Sequence, residues 1–309
     1  MPPRPTVSII DVSPRDGLQN EDALVSTADK VLLIELLIAA GVQSIEAASF
    51  VHPELVPQMA DAEELMKRVP RPSGVRYIGL ALNERGAIRA LEADVDEVNM
   101  VVAASDAFSM ANQGVDAFGG VARALRVAEL VADAGRPLSV TVSTAFGCPF
   151  EGEVPVARLT ELVGAAAAAN PVRINIADTI GVAAPTDVAE RIAAVARVTP
   201  EGVDLAVHFH NTRNTGYANA VAAYEAGVRT FDASAGGVGG CPFAPKATGN
   251  IATEDLVYLL HRMGVETGIH LARLVEASTF LEGPLAKQVP ALLPKAGPFP
   301  DGSVSGTSV

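Results

Sequence analysis

Three consecutive stretches decide the fold: Val7-Ser8-Ile9-Ile10-Asp11-Val12, then Ser26-Thr27-Ala28-Asp29-Lys30-Val31-Leu32-Leu33-Ile34-Glu35-Leu36-Leu37-Ile38-Ala39-Ala40-Gly41, then Ser44-Ile45-Glu46-Ala47-Ala48-Ser49. The first, with four β-branched residues of its six, and the third, a short run around Ile45 with small residues, read as strands. Between them Ser26 and Asp29 have capping-box spacing, Leu32, Leu33, Leu36, Leu37 and Ala40 form an apolar stripe, and Gly41 stops the helix. This is one strand-helix-strand unit with the helix packed on a parallel sheet. The closing Ala-Gly phrase returns at Ala134-Gly135 and Ala226-Gly227, each closely followed by a strand, a weak sign of one unit reused.

Strand candidates recur at Val7–Val12, Ser44–Ser49, Val75–Leu82, Glu97–Ser105, Leu138–Ala145, Arg173–Thr179, Asp204–Asn211 and Thr230–Ser234. No Gly/Pro/Ser-rich linker divides the chain before about residue 285, so an α/β fold of the closed (β/α)8 TIM barrel type is expected rather than a doubly wound sheet. The expected division is a catalytic barrel over 1–285, with an extra C-terminal helix near His270–Leu281, and a disordered tail over 286–309.

Composition excludes several functions. The 309 residues are 49% hydrophobic and carry a net charge of −13 with no Lys/Arg run, which argues against nucleic acid or an acidic membrane as partner. The first residues show neither a signal segment nor a presequence, and no stretch reaches a membrane span, so a cytoplasmic protein is expected. The two cysteines, Cys148 and Cys241, both lie in Gly-Cys-Pro-Phe and are expected to be reduced.

Barrel sites lie at the carboxyl ends of the strands. In Ala206-Val207-His208-Phe209-His210-Asn211-Thr212, alternation puts His208 and His210 on one face as a pair of imidazole ligands, the competing reading being a hydrogen-bonded core histidine. Asp16 after strand 1 and Asn250 after strand 8 complete a nitrogen and oxygen set suited to Zn²⁺, Mn²⁺, Fe²⁺ or Mg²⁺, with no thiolate spacing to favour structural zinc. Arg15, Glu46 and Asp178 offer a fixed cation and two proton-transfer carboxylates, against the reading that such a carboxylate caps a helix. Gln19, Asn83, Ser105, Thr141, Ser143 and Asn175 are expected to contact substrate. The run Gly236-Gly237-Val238-Gly239-Gly240-Cys241-Pro242 lacks a third properly placed glycine and a following ribose acid, so a dinucleotide loop is rejected. A mobile loop carrying the Cys241 thiol fits better, with a phosphate cradle as competitor.

The chain resembles the hydroxymethylglutaryl-CoA lyase family, within the metal-dependent barrel lyases and Claisen-type synthases. The likeness rests on Ser13-Pro14-Arg15-Asp16-Gly17-Leu18-Gln19-Asn20, Ser49-Phe50-Val51 with Val56-Pro57-Gln58-Met59, Gly147-Cys148-Pro149-Phe150-Glu151-Gly152, Asp178-Thr179-Ile180-Gly181-Val182, and Gly239-Gly240-Cys241-Pro242-Phe243-Ala244 through Gly249-Asn250 to Tyr258. It implies Mg²⁺ or Mn²⁺ held by Asp16, His208, His210 and Asn250, with Arg15 polarising a thioester carbonyl and Glu46, Asp178 and Cys241 near the reacting carbons. It also implies an acyl-CoA substrate, a homodimer and a place in leucine degradation. Three positions depart from the family pattern: Asn211 replaces an acid after the histidine pair, Thr141 a tyrosine on strand 5, and Asn175 a serine on strand 6. The activity so implied is retro-Claisen cleavage of 3-hydroxy-3-methylglutaryl-CoA or an analogue to acetyl-CoA and a keto acid. The alternatives are a lyase for another branched 3-hydroxyacyl-CoA such as citramalyl-CoA, a Claisen synthase or aldolase, and a non-catalytic CoA-ester binding protein. A synthase of this group generally carries a further regulatory domain, for which the residues after 285 leave no room.

Overall fold

Each strand candidate becomes a strand of one ring. The computed structural model describes residues 6–240 and 249–300. Its strands are β1 (Ser8–Asp11), β2 (Ser44–Ser49), β3 (Arg76–Ala81), β4 (Glu97–Ala103), β5 (Leu138–Ser143), β6 (Arg173–Asp178), β7 (Asp204–Phe209) and β8 (Thr230–Ala233). All neighbours are parallel and the ring closes in the order β1-β8-β7-β6-β5-β4-β3-β2. This is the (β/α)8 barrel expected from the pattern, with several strands ending one or two residues early where the polar residues turn to other work.

The outer layer comprises α1 (Thr27–Ala39), α2 (Ala62–Arg68), α3 (Glu84–Glu92), α4 (Asp106–Gln113), α5 (Ala117–Asp133), α6 (Val156–Ala166), α7 (Pro185–Ala196), α8 (Gly216–Glu225), α9 (Thr253–Arg262) and α10 (Leu271–Phe280). In α1 the Ser26 hydroxyl accepts the Asp29 N–H at 3.1 Å, as the capping box requires. The buried stripe is Leu33, Ile34, Leu37 and Ala40, while Leu32 is exposed, so the stripe sits slightly rotated from the sequence reading. At Gly41 φ is +95° and a Cβ would lie 2.7 Å from the Gly268 carbonyl, so both conformation and space demand glycine.

The amino ends of the strands are plugged by charge. Glu97, fully buried, takes Arg173 on one oxygen and Arg76 at 3.3 Å on the other. That leaves the carboxyl ends as the open mouth. The last described segment, assigned to the tail, is anchored to the barrel between Val289 and Leu293. The Ala291 N–H bonds to the Gly236 carbonyl at 3.0 Å, and Asp255 accepts the Leu292 and Leu293 N–H groups at 2.9 and 2.7 Å. Val289 and Ala291 are buried beside the turn after β8, and Leu293 is buried near α9.

Candidate active site

After β1 the chain makes a single π-helical turn, Ser13–Gly17, closed by the Gly17 N–H on the Val12 carbonyl at 3.1 Å. Pro14 stands second in that turn, where its missing N–H costs nothing, and Gly17 has no room for a side chain, its Cβ position lying 2.8 Å from Val238 Cγ2. The turn aims Arg15 and Asp16 together into the mouth. Its base is fixed by the buried Asp11, which accepts the Ser13 N–H at 2.9 Å and the Ala235 N–H at 3.1 Å.

Arg15 Nε donates to Glu46 Oε2 at 2.6 Å and Nη1 to Asp16 Oδ1 at 2.6 Å, with Nη2 also on Glu46. A register shift in β2 between Glu46 and Ala48 accompanies the contact of Glu46 with Arg15 and that of Ser49, three residues on, with Gln19 just past the turn, Ser49 donating to Gln19 Oε1 at 2.9 Å. Behind Glu46, Asn99 Nδ2 donates to Glu46 Oε1 at 2.8 Å and Thr141 Oγ1 to Asn99 Oδ1 at 3.0 Å. One hydrogen-bonded chain thus runs from β5 through β4 and β2 to Arg15.

Opposite stand the histidines. His208 Nε2 and His210 Nε2 each lie 3.9 Å from Asp16 Oδ2, too far for hydrogen bonds. Among the described residues, these three form the one group of histidine, cysteine and acid side chains whose ligand atoms converge within 4.8 Å. Ligand atoms sharing a divalent ion at about 2.0–2.3 Å stand at about such separations. The segment after β8 runs beside β7, with Asn211 N–H on the Gly249 carbonyl and Ile251 N–H on the Phe209 carbonyl, which puts Asn250 next to His210. Asn250 Nδ2 donates to Val238 O at 3.0 Å and Asp16 Oδ2 at 2.8 Å, while its buried Oδ1 has no partner among the described residues. An orphaned amide oxygen beside two imidazoles and a carboxylate fits a divalent cation. Gly239 makes the close packing feasible, since a Cβ there would meet Asn250 Nδ2 at 2.6 Å.

Electrostatics at Asp16 and His210 agree with ligand duty, while against the burial of His208, Asp232 and Asp16 raise its pKa. Burial alone would raise the Asp16 pKa, but Arg15, the two imidazoles and Asn250 outweigh it and hold the carboxyl well below the ordinary range. Burial, reinforced by His208, lowers His210 to about 4, leaving a neutral ring with a free lone pair. Burial also works against charge on Glu46 and raises its pKa despite Arg15 and Asn99.

A cavity of about 140 Å³ opens between these groups, lined by Arg15, Asp16, Gln19, Thr141, Ser143 and both histidines among others. Other expected residues are employed elsewhere. Asn83 Oδ1 caps α3 on the Gly86 N–H at 3.0 Å, and Ser105 Oγ caps α4 on the Phe108 N–H at 3.1 Å while donating to Cys148 Sγ. Asp178, expected to transfer protons, takes the Val182 and Ala183 N–H groups of the loop before α7 on its two oxygens, both at 2.9 Å. Asn211 similarly accepts the Gly216 N–H at 3.1 Å. Asn175 donates to Asp232 Oδ2 at 2.5 Å. Cys241 lies outside the described residues. Sequence reasoning missed Asn99 and Asp232. Both are mid-strand, and the available signal was period-two polarity in otherwise apolar strands, Glu97 with Asn99 and Thr230 with Asp232.

The HMGL-like family model matches residues 6–281. The chain belongs to this family of carbon–carbon lyases. The (R)-citramalyl-CoA lyase of Chloroflexus aurantiacus is 43% identical over 302 residues, covering 94% of this chain and 95% of that protein. The hydroxymethylglutaryl-CoA lyase of Bacillus subtilis is 37% identical, with 94% and 97% covered. Among solved structures, an HMG-CoA lyase from Acinetobacter baumannii in complex with coenzyme A and 3-methylmalate superposes with a TM-score of 0.92 at 38% identity, covering 98% of each chain. HMGL-like enzymes depend on a divalent metal, which agrees with the Asp16, His208 and His210 cluster. No described helix is long and apolar enough to cross a membrane.

Proposed function

We propose that this HMGL-like enzyme is a metal-dependent retro-Claisen lyase that cleaves 3-hydroxy-3-methylglutaryl-CoA, or a close branched analogue, to acetyl-CoA and a keto acid. The observation that carries the reading is the convergence of Arg15 with the Asp16, His208 and His210 cluster on one cavity.

The reaction breaks the bond between C2 and C3. The C3 hydroxyl loses its proton and becomes the ketone of acetoacetate, the bonding pair moves to C2 as the thioester enolate, and a proton at C2 completes acetyl-CoA. A bound Mg²⁺ or Mn²⁺, held by Asp16, His208, His210 and Asn250, would lower the hydroxyl pKa and offset the charge on the oxygens. Arg15 has one N–H left on each terminal nitrogen after its bonds to Glu46 and Asp16, and these suit the thioester oxygen as it gains negative charge. Glu46 and Asp16 fix the guanidinium plane before substrate arrives, so little reorganisation remains for the transition state. Gln19 and Ser143 line the acyl space. The family resemblance assigns the returning proton to the thiol of Cys241, which lies outside the described residues.

The CoA arm has a route outward. A groove of about 910 Å³ shares Gln19, Asn20, Val51, Leu82 and Asn112 with the cavity, and its lining includes Arg85, Arg89 and Arg123. Cationic groups there suit phosphates in a chain of net charge −13.

A second reading, cleavage of citramalyl-CoA to acetyl-CoA and pyruvate, is favoured by the 43% identity to the Chloroflexus aurantiacus enzyme. The two esters differ by one methylene between carbinol and carboxylate. Incubation of each with the protein and Mg²⁺ or Mn²⁺, with products read by mass spectrometry, tests both. Metal-loaded protein that cleaves neither ester would remove the proposal.

A further inference from the structure

We infer that Asp232, held by Asn175, is a positioning residue that sets the orientation and tautomer of His208 for metal binding, an inference that rests on the metal reading above. Strands β6, β7 and β8 are adjacent, with Ala177 and Asp232 both in register with His208. Asn175, two residues before Ala177, shares its face of β6. In this arrangement Asp232 Oδ2 receives Asn175 Nδ2 at 2.5 Å and faces His208 Nδ1 at 3.3 Å.

A carboxylate can only accept, so the proton of the neutral ring belongs on Nδ1. The lone pair is then on Nε2, the atom that faces Asp16 Oδ2 at 3.9 Å. Without Asp232 the proton is free to sit on Nε2, where it blocks a metal. The ring could also turn about χ2, because no other hydrogen bond to it is present among the described residues. Asn175 matters because the Asp232 carboxylate is buried and would otherwise be held only by the ring it is meant to fix. The sequence departure at Asn175 is thereby explained by support of a ligand rather than by contact with substrate.

The test is Mn²⁺ affinity, read by electron paramagnetic resonance of the free ion, with ¹⁵N-histidine NMR of the metal-free protein. Asp232→Ala is expected to weaken Mn²⁺ binding about 10- to 100-fold and to shift His208 toward a mixture of tautomers. Asp232→Asn, whose amide oxygen can still accept from both neighbours, is expected to recover most of the affinity and the Nδ1–H tautomer. Asn175→Ser is expected to weaken Mn²⁺ by ~3-fold or more, and it decides the question if Asp232→Ala does not fold. Wild-type protein that fails to bind Mn²⁺ would overturn the metal reading itself. Wild-type binding matched by Asp232→Ala, or by a folded Asn175→Ser where the alanine variant is lost, would overturn only the positioning role.

Discussion

Glu46→Gln isolates what holds Arg15 in place. The carboxylate takes Arg15 Nε at 2.6 Å and Asn99 Nδ2 at 2.8 Å on separate oxygens. A glutamine offers one acceptor where two are needed, so either Arg15 or Asn99 then faces an amide N–H. With charge centres about 4 Å apart and an effective dielectric near 20, the lost attraction is ~4 kcal/mol, within the roughly 3–5 kcal/mol seen on breaking buried pairs. Part of that is offset in the fold, because burial already disfavours the ionised Glu46, and we expect a stability loss of only about 1–2 kcal/mol. The guanidinium keeps Asp16 but loses its second anchor. If about 3 kcal/mol of transition-state stabilisation goes with it, kcat falls ~10²-fold, with KM for the ester and Mn²⁺ affinity changing by no more than about threefold. Steady-state rates of acetyl-CoA formation, a thermal melt and an Mn²⁺ titration give the three quantities. A kcat within about threefold of wild type would refute the view that Glu46 fixes a catalytic Arg15.

Other expectations can be checked alongside. Chelation should abolish turnover and Mg²⁺ or Mn²⁺ restore it, while Asp16→Asn with His210→Ala should lose several kcal/mol of transition-state stabilisation; full activity of that variant after exhaustive chelation would exclude the metal site. Gly239→Ala places a Cβ 2.6 Å from Asn250 Nδ2 at φ +110°, so Mn²⁺ affinity and melting temperature should fall together, by about 1–3 kcal/mol in stability, and an unchanged melt would contradict the packing. Thr141→Tyr should fill part of the cavity and shift the ratio of kcat/KM toward hydroxymethylglutaryl-CoA over citramalyl-CoA; an unchanged ratio would show that β5 does not set acyl preference. Glu254 accepts the Gly236 N–H on both oxygens, and burial raises its pKa to about 8. The folded protein therefore holds a proton that the unfolded chain releases above its ordinary 4.5. That stability is fully present below 4.5 and lost as pH rises through about 8, so Glu254→Gln should flatten the decline of melting temperature between pH 5 and pH 8. Parallel wild-type and variant curves would show that Glu254 is ionised in the fold.

The barrel was legible because its strands are short apolar runs separated by capped helices, signals that act within a few residues. Asp16, His208 and His210 were legible for a related reason: alternation fixes which side chains of a strand end face the mouth, and an adjacent acid supplies a third donor. Asn83, Ser105 and Asp178 stand at strand ends as well, yet serve backbone N–H groups. A polar side chain there can meet a ligand or cap the next helix, and strand position alone does not separate the two. Asn83 precedes Glu84 and Ser105 precedes Asp106, acidic first-turn residues that mark a helix start and could have separated them. Asn99 and Asp232 were hidden because their partners, Glu46, Thr141, Asn175 and His208, come from other strands, and only closure of the ring brings them together.

The single turn Ser13–Gly17 couples two functions that need not have been coupled. Arg15 and Asp16 are consecutive residues of one five-residue loop wedged against Val238 and Asn250. An insertion or a shift there would displace the cation and the metal-facing carboxylate at once, so mutations that tune one would damage the other. Novelty in acyl preference arises more freely at positions outside this turn and its supports, such as Leu80 on β3, Val101 on β4 and Ser143 on β5, which line the cavity from separate strands. The same architecture makes the bond-breaking half of the site slow to diverge and the substrate-reading half quick, a modularity suited to a group whose members act on esters one methylene apart.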